Sequence, residues 1–196
     1  MISKEEYAAV AIVLTVLGFA PYLWLIFVGV VRPHMFSWII WGLTTFLVFF
    51  AQLADGAGAG AWPIGLSGVV SLGIAVWAYR YRADITVTRL DWAFFIAALA
   101  ALPLWFVGND PLWAVVVLTT VDVLGLGPTM RKAYDAPYSE SQLVFVVFML
   151  RNAVAIAALE NYSLTTVLFP AALFGSGVAF IALVAYRRWQ LKQTSA

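Results

Sequence analysis

The sequence predicts an all-α integral membrane protein of seven transmembrane helices, arranged as a 3+1+3 parallel repeat of three-helix bundles. Three observations predict it. The chain of 196 residues is 64% hydrophobic and 11% charged, whereas a soluble domain carries about 25% charged residues. Seven apolar runs approach the roughly 20 residues that a helix needs to cross a bilayer. Residues of the first half also recur in the second half at a constant offset of 107 positions.

The offset joins residue types that chance would not align. Matches between alanines or valines are expected in so apolar a chain, but matched prolines, glycines, tyrosines and arginines are not. The matched pairs are Leu17 and Leu124, Gly18 and Gly125, Pro21 and Pro128, Pro63 and Pro170, Gly68 and Gly175, Tyr79 and Tyr186, and Arg80 and Arg187. We therefore expect a tandem duplication. Its parts would be a first three-helix bundle over 1–84, a linker helix over 85–109, and a second bundle with a cytoplasmic tail over 110–196.

The apolar runs give the elements in order. They cover about 7–29, 35–54, 60–80, 91–108, 111–130, 141–160 and 163–186. They are continuously apolar rather than alternating over about ten residues, which disfavours a membrane β-barrel. A single linker helix after three helices lets both bundles cross the membrane in the same orientation, a transporter architecture. The loop over 131–141 is expected to be longer than its first-half counterpart.

Two prolines are predicted to kink helices. Pro21 and Pro128 lie in the inner half of the first helix of each bundle. A proline removes a backbone hydrogen bond and kinks a helix. Within a membrane the freed carbonyl is tolerated only against protein or a watery cavity. The third run instead carries small residues such as Gly65 and Gly68, which predict close helix packing.

The distribution of basic residues predicts the orientation. One side of the predicted membrane receives nine of them and the other side receives Lys4 alone. The nine are Arg32, Arg80, Arg82, Arg89, Arg131, Lys132, Arg187, Arg188 and Lys192. By the positive-inside rule the N-terminus is outside and the C-terminus is cytoplasmic. This basic cluster therefore sets topology, and we expect no nucleic-acid partner.

Two charges fall deep inside predicted helices. Asp122 and Arg151 lie at similar depth, with Asn152 beside the arginine. An unpaired charge at the bilayer centre costs at least about 2.5–3.5 kcal/mol, and such residues usually pair or line a cavity. We therefore expect both to face the bundle interior and each other. Their first-half equivalents at the common offset are Thr15 and Thr44.

Two interpretations of these charges stay open. Asp122 and Arg151 could simply lock two helices together. Alternatively they form a polar substrate or proton site near the midplane, together with Asn152 and an aromatic wall. The expected lining residues are Trp41, Ser67, Asp122, Arg151, Asn152 and Ser176. Trp41 could also belong to an interfacial aromatic belt.

Enzymes and cofactor proteins are disfavoured. The chain has no cysteine and His34 is its only histidine, so thiolate or histidine metal sites and a Ser-His-Asp triad lack their residues. Nucleotide-binding and hydrolase motifs are also missing. We expect no enzymatic activity, no cofactor and no metal. The expected partners are membrane lipid and a small-molecule substrate, and the oligomeric state stays open.

The arrangement resembles a known superfamily. Seven helices as a parallel 3+1+3 duplication, an outside N-terminus, and Pro21 and Pro128 in the first helix of each copy are similar to SWEET and PQ-loop transporters. The runs over 32–41 and 131–141 resemble those of small prokaryotic membrane proteins related to that superfamily. The resemblance implies hinges at the two prolines and a location in the prokaryotic plasma (inner) membrane.

Two functions from different classes follow. The first is a small-solute transporter working by alternating access, proton-coupled if Asp122 titrates. The alternative is a non-transporting seven-helix receptor or partner-binding scaffold, in which Asp122 and Arg151 form a structural pair. A polar cavity that reaches one face favours the transporter, and a closed dry interior favours the scaffold.

Overall fold

The computed structural model describes residues 2–81, 87–138 and 142–194, apart from the side chains of residues 128, 132 and 194. Throughout these ranges the regular structure is helical and contains no strand. The helices are α1 Lys4–Phe27, α2 Met35–Ala54, a 3₁₀ helix Gly58–Ala61, α3 Trp62–Arg80, α4 Arg89–Gly108, α5 Pro111–Gly125, α6 Gly127–Asp135, α7 Gln142–Ala158 and α8 Leu164–Thr194. Six helical stretches are long and apolar enough to cross a membrane, and α7 is a shorter apolar helix. The predicted class of helical membrane protein is confirmed at this level.

Local sequence sets several helix starts. The side chain of Ser3 accepts from the backbone N–H of Glu6 in a capping box, which begins α1. Thr88 and Asp91 form the same motif at the start of α4. Asp110 caps α5, and Pro111 occupies its first turn, where a missing N–H costs nothing.

The predicted fifth membrane run is two helices. The break lies at Leu126, whose N–H bonds to the carbonyl of Val123 three residues back at 3.2 Å. Pro128 has no backbone N–H to offer to the carbonyl of Leu124, which removes one α-helical hydrogen bond at this position. In contrast, α1 continues as a helix through Pro21. The two predicted hinge positions therefore differ in local structure.

The helices pack in a simple pattern. Helix α3 packs against both α1 and α2, and α8 packs against both α5 and α7. Two long seams join these groups, one between α1 and α7 and the other between α2 and α5. Helix α4 packs on α5 and α2, and its buried residues are Ala98 and Ala101.

The two ends of the bundle differ in charge. We call the end that carries Arg32, Arg80, Arg89, Arg131, Arg187 and Arg188 the basic end, and the end that carries Asp55, Asp110 and Glu160 the acidic end. The loop expected over 131–141 is helical in its first part. Residues 131–135 continue helix α6, and residues 139–141 lie outside the described residues.

Candidate functional site

A cavity of about 350 Å³ lies among helices α1, α2, α3, α5, α6, α7 and α8. Its wall is mostly apolar and rich in aromatic rings. The aromatic residues include Phe19, Tyr22, Trp38, Trp41, Phe145 and Phe148. Tyr22 is near the end of α1, while Trp38 and Val144 are near the starts of α2 and α7. The cavity therefore extends from the middle of the bundle to its basic end.

Asp122 lies in this cavity on α5. Its side chain is 8% exposed, and its Oδ1 accepts a hydrogen bond of 2.8 Å from the hydroxyl of Thr44 on α2. Thr44 is itself completely buried. The carboxylate is thus held across the seam between α2 and α5 by a neutral partner.

Arg151 lies in the same cavity on α7, and it is 3% exposed. Its Nη1 donates to Oδ1 of Asn152 at 2.6 Å, and its Nη2 donates to the hydroxyl of Ser67 on α3. Asn152 is fixed in turn by donating to the carbonyl of Phe148 at 2.9 Å. The Nε of Arg151 is buried and has no hydrogen-bond partner. The guanidinium therefore has neutral partners, and one of its three nitrogens donates no hydrogen bond.

The predicted contact between Asp122 and Arg151 is not made. Both side chains face the interior, but no nitrogen of the arginine comes within 4.0 Å of a carboxylate oxygen. Packing explains the difference, because α5 lies along α2 whereas α7 lies along α1. Asp122 consequently bonds to Thr44 on α2, whereas Arg151 bonds to Ser67 on α3 and to Asn152 on its own helix.

The other predicted site residues divide into two groups. Trp41, Ser67 and Asn152 line the cavity with the two charges. Ser176 lines a separate groove formed by α5, α6 and α8. Successive helical residues are about 100° apart, and the neighbouring Gly177 lines the cavity, as do Phe169 and Leu173 on the same helix.

Of the two predicted hinge residues, Pro21 is exposed on α1, and the side chain of Pro128 falls outside the described residues.

Sequence reasoning missed several cavity residues. Phe148 closes on Gly18, where an added Cβ would lie 2.9 Å from the phenylalanine ring. Gly125 similarly faces Trp41, whose Nε1 would lie 3.3 Å from an added Cβ. The repeat offset could have pointed to these two contacts. Positions 41 and 148 differ by the same 107 residues as positions 18 and 125.

Within the described ranges, no three His, Cys, Asp or Glu side chains cluster as metal ligands would. The polar groups of the cavity are instead hydroxyls, an amide, one carboxylate and one guanidinium. No family model, curated protein or solved structure matches the chain.

Proposed function

We propose that the protein is a small-solute transporter that works by alternating access between two like-oriented three-helix bundles. The observation that carries this proposal is the central cavity. It holds two buried charges that have no ionic partner among the described residues, and its wall includes Trp38 and Val144 near the basic end. Intramembrane charges of this kind usually mark a solute or proton pathway.

A helix start supports the duplication that this mechanism requires. Helix α1 begins at Lys4 and α5 begins at Pro111, which is 107 positions later. Two copies of one unit would share this starting point.

The packing pattern supports a rotation that relates the copies. In the first group α3 packs against α1 and α2, and in the second group α8 packs against α5 and α7. The two seams exchange roles, since α1 lies along α7 while α2 lies along α5. A two-fold axis along the membrane normal between parallel repeats produces this exchange.

The seams also repeat in detail. Gly18 of α1 faces Phe148 of α7, and Gly125 of α5 faces Trp41 of α2. Each glycine and each aromatic residue is displaced from its counterpart by 107 positions. A small residue against a large ring at both seams is a surface along which two bundles could rock. This arrangement keeps a relationship to the SWEET and PQ-loop superfamily within the proposal.

Hydrogen bonds between the two groups close the acidic end. Asn161 donates to the carbonyl of Asp55 at 2.8 Å, and the hydroxyl of Ser163 donates to the carboxylate of Asp55. The backbone N–H of Ala59 donates to Glu160 at 3.2 Å. With this end closed, solute would reach the cavity from the basic end. We infer that the basic end is cytoplasmic in a prokaryotic inner membrane, by the positive-inside rule.

A reversible cross-link tests the mechanism. The chain has no native cysteine, so Asp55→Cys with Ser163→Cys would introduce the only thiols, at the closed end. We expect uptake into proteoliposomes to fall to that of protein-free vesicles on oxidation, and to return on reduction. Ser163→Cys with Thr166→Cys is the matched control, because both positions lie on the same side of the closure.

The uptake assay uses a panel of radiolabelled amino acids, sugars and organic acids. Uptake that persists fully in the oxidised Asp55/Ser163 protein contradicts alternating access. A panel in which no solute exceeds protein-free vesicles would favour the receptor or scaffold instead.

A further inference from the structure

The cavity keeps an acid and a base apart. Arg151 gives its terminal donors to Asn152 and Ser67, both neutral, and its Nε has no partner. The only hydrogen bond that the described residues give Asp122 comes from the hydroxyl of Thr44. Burying an ion without an opposite charge is costly even when neutral groups bond to it. Both charges are therefore left for something else to compensate.

The wall between the charges suits an apolar group. Trp38 and Trp41 pack edge to face with ring centroids 5.2 Å apart, and Phe148 lies beneath the guanidinium at 5.9 Å. The volume of about 350 Å³ is at the lower end of the roughly 300–1,000 Å³ of small-molecule sites. Such a cavity holds one small molecule, with aromatic surface against its apolar part.

We propose that this cavity binds a zwitterionic α-amino acid with a large apolar side chain. Its ammonium group binds Asp122, its carboxylate binds Arg151 and its side chain packs on the aromatic wall. This inference rests on the proposed function for the idea of a transported solute, but it concerns binding alone.

Solutes with other charges fit less well. A simple carboxylate would neutralise Arg151 but would bring a second negative charge into the cavity with Asp122. An amine would neutralise Asp122 but would add a second positive charge beside Arg151. A sugar would leave both ions uncompensated. Only a molecule that carries both charges neutralises the two side chains together.

Three matched compounds test the inference by isothermal titration calorimetry on the full chain in lipid nanodiscs. They are L-phenylalanine, 3-phenylpropanoate, which lacks the ammonium, and 2-phenylethylamine, which lacks the carboxylate. We expect L-phenylalanine to bind about 10–100-fold more tightly than either analogue, the range for one charge-assisted hydrogen bond. Equal or tighter binding of either analogue, or no binding of L-phenylalanine, overturns the proposal.

Two substitutions test the assignment of the charges. Asp122→Asn keeps the size of the side chain and an oxygen for Thr44. It should weaken L-phenylalanine about 10–100-fold and tighten 3-phenylpropanoate, because the second negative charge is gone. Arg151→Gln should weaken L-phenylalanine similarly and tighten 2-phenylethylamine, because the second positive charge is gone.

The matched control is Thr120→Ala, because Thr120 is exposed on the same helix as Asp122 and bonds only to its own helix. It should bind all three compounds as the unmodified protein does. Size-exclusion chromatography and circular dichroism check that each variant is folded. A folded Asp122 variant that weakens all three compounds equally assigns the residue a structural role and overturns the proposal.

The two proposals fail separately. Binding of L-phenylalanine without uptake into proteoliposomes overturns the transport function and leaves this inference standing. Uptake of a sugar or an organic acid, together with no binding of L-phenylalanine, overturns this inference and leaves transport standing.

Discussion

A proline in α8 explains a buried hydrogen bond that crosses the bundle. Pro170 lies inside the helix and has no N–H, so the carbonyl of Thr166 four residues earlier loses its helical partner. The side-chain Nε2 of Gln52 on α2 donates to that carbonyl at 2.7 Å. Gln52 is completely buried. We therefore predict that Gln52 is coupled to Pro170 through the Thr166 carbonyl.

The expected magnitude follows from both ends of this contact. Gln52→Leu leaves the Thr166 carbonyl unpaired, which costs about 1–3 kcal/mol. The same change also removes the Oε1 of Gln52, a buried acceptor with no partner, so part of that cost is offset. The single substitution Gln52→Leu therefore does not measure the strength of the hydrogen bond by itself. Pro170→Ala restores an N–H at position 170 and should make Gln52 dispensable for the carbonyl.

A double-mutant cycle isolates the coupling. We expect Gln52→Leu to cost about 0.6–1.7 kcal/mol less in the Pro170→Ala background than in the unmodified protein, between the average and the maximum coupling of hydrogen bonds inside a membrane bundle. The measurement is the free energy of unfolding of the four proteins in mixed detergent micelles. A difference below about 0.3 kcal/mol means that the sites are independent, and it refutes the explanation.

Two further predictions concern glycines at contacts between the two groups of helices. Gly18→Ala places a methyl group 2.9 Å from the Phe148 ring and should cost about 1–3 kcal/mol of unfolding free energy. Gly125→Ala, with its nearest contact at 3.3 Å, should cost less, and an equal cost would contradict the geometry. Gly58 has φ +58°, and an added Cβ there would overlap the carboxylate of Glu160. Gly58→Ala should therefore cost about 1–2 kcal/mol of unfolding free energy from backbone strain, plus the cost of the steric contact. Adding Glu160→Ala should recover only the steric part, as measured by unfolding.

Element positions were readable from the sequence because hydropathy and turn residues act locally. The predicted run over 35–54 matches α2, Met35–Ala54, and the run over 91–108 ends at the same residue as α4. The turns that follow carry Gly56 and the Asn109-Asp110 pair. Asn109 takes a left-handed conformation with φ 46°, which suits a helix end. Local chemistry is enough to place such boundaries.

Neighbour relations were harder to predict, because depth in the membrane follows from counting residues but direction around a helix does not. Asp122 and Arg151 were placed at similar depth and were expected to meet, yet their helices lie on different seams. Ser176 was expected in the cavity, and its neighbour Gly177 faces it instead. Moving by one residue along a helix turns the side chain by about 100°. The local sequence of α8 does not determine which of its faces points into the cavity.

The proposed duplication gives a reason why the two charges stay apart. Asp122 contacts Thr44 at the seam between α2 and α5. The offset makes Thr44 the counterpart of Arg151, and Thr15 the counterpart of Asp122. Thr15 and Arg151 accordingly belong to the helices of the other seam, between α1 and α7. The helices of each seam therefore carry one ion and one threonine, and in the proposed duplication a rotation between the bundles places the acid and the base on opposite sides of its axis. The zwitterion proposed above would neutralise both charges across that axis.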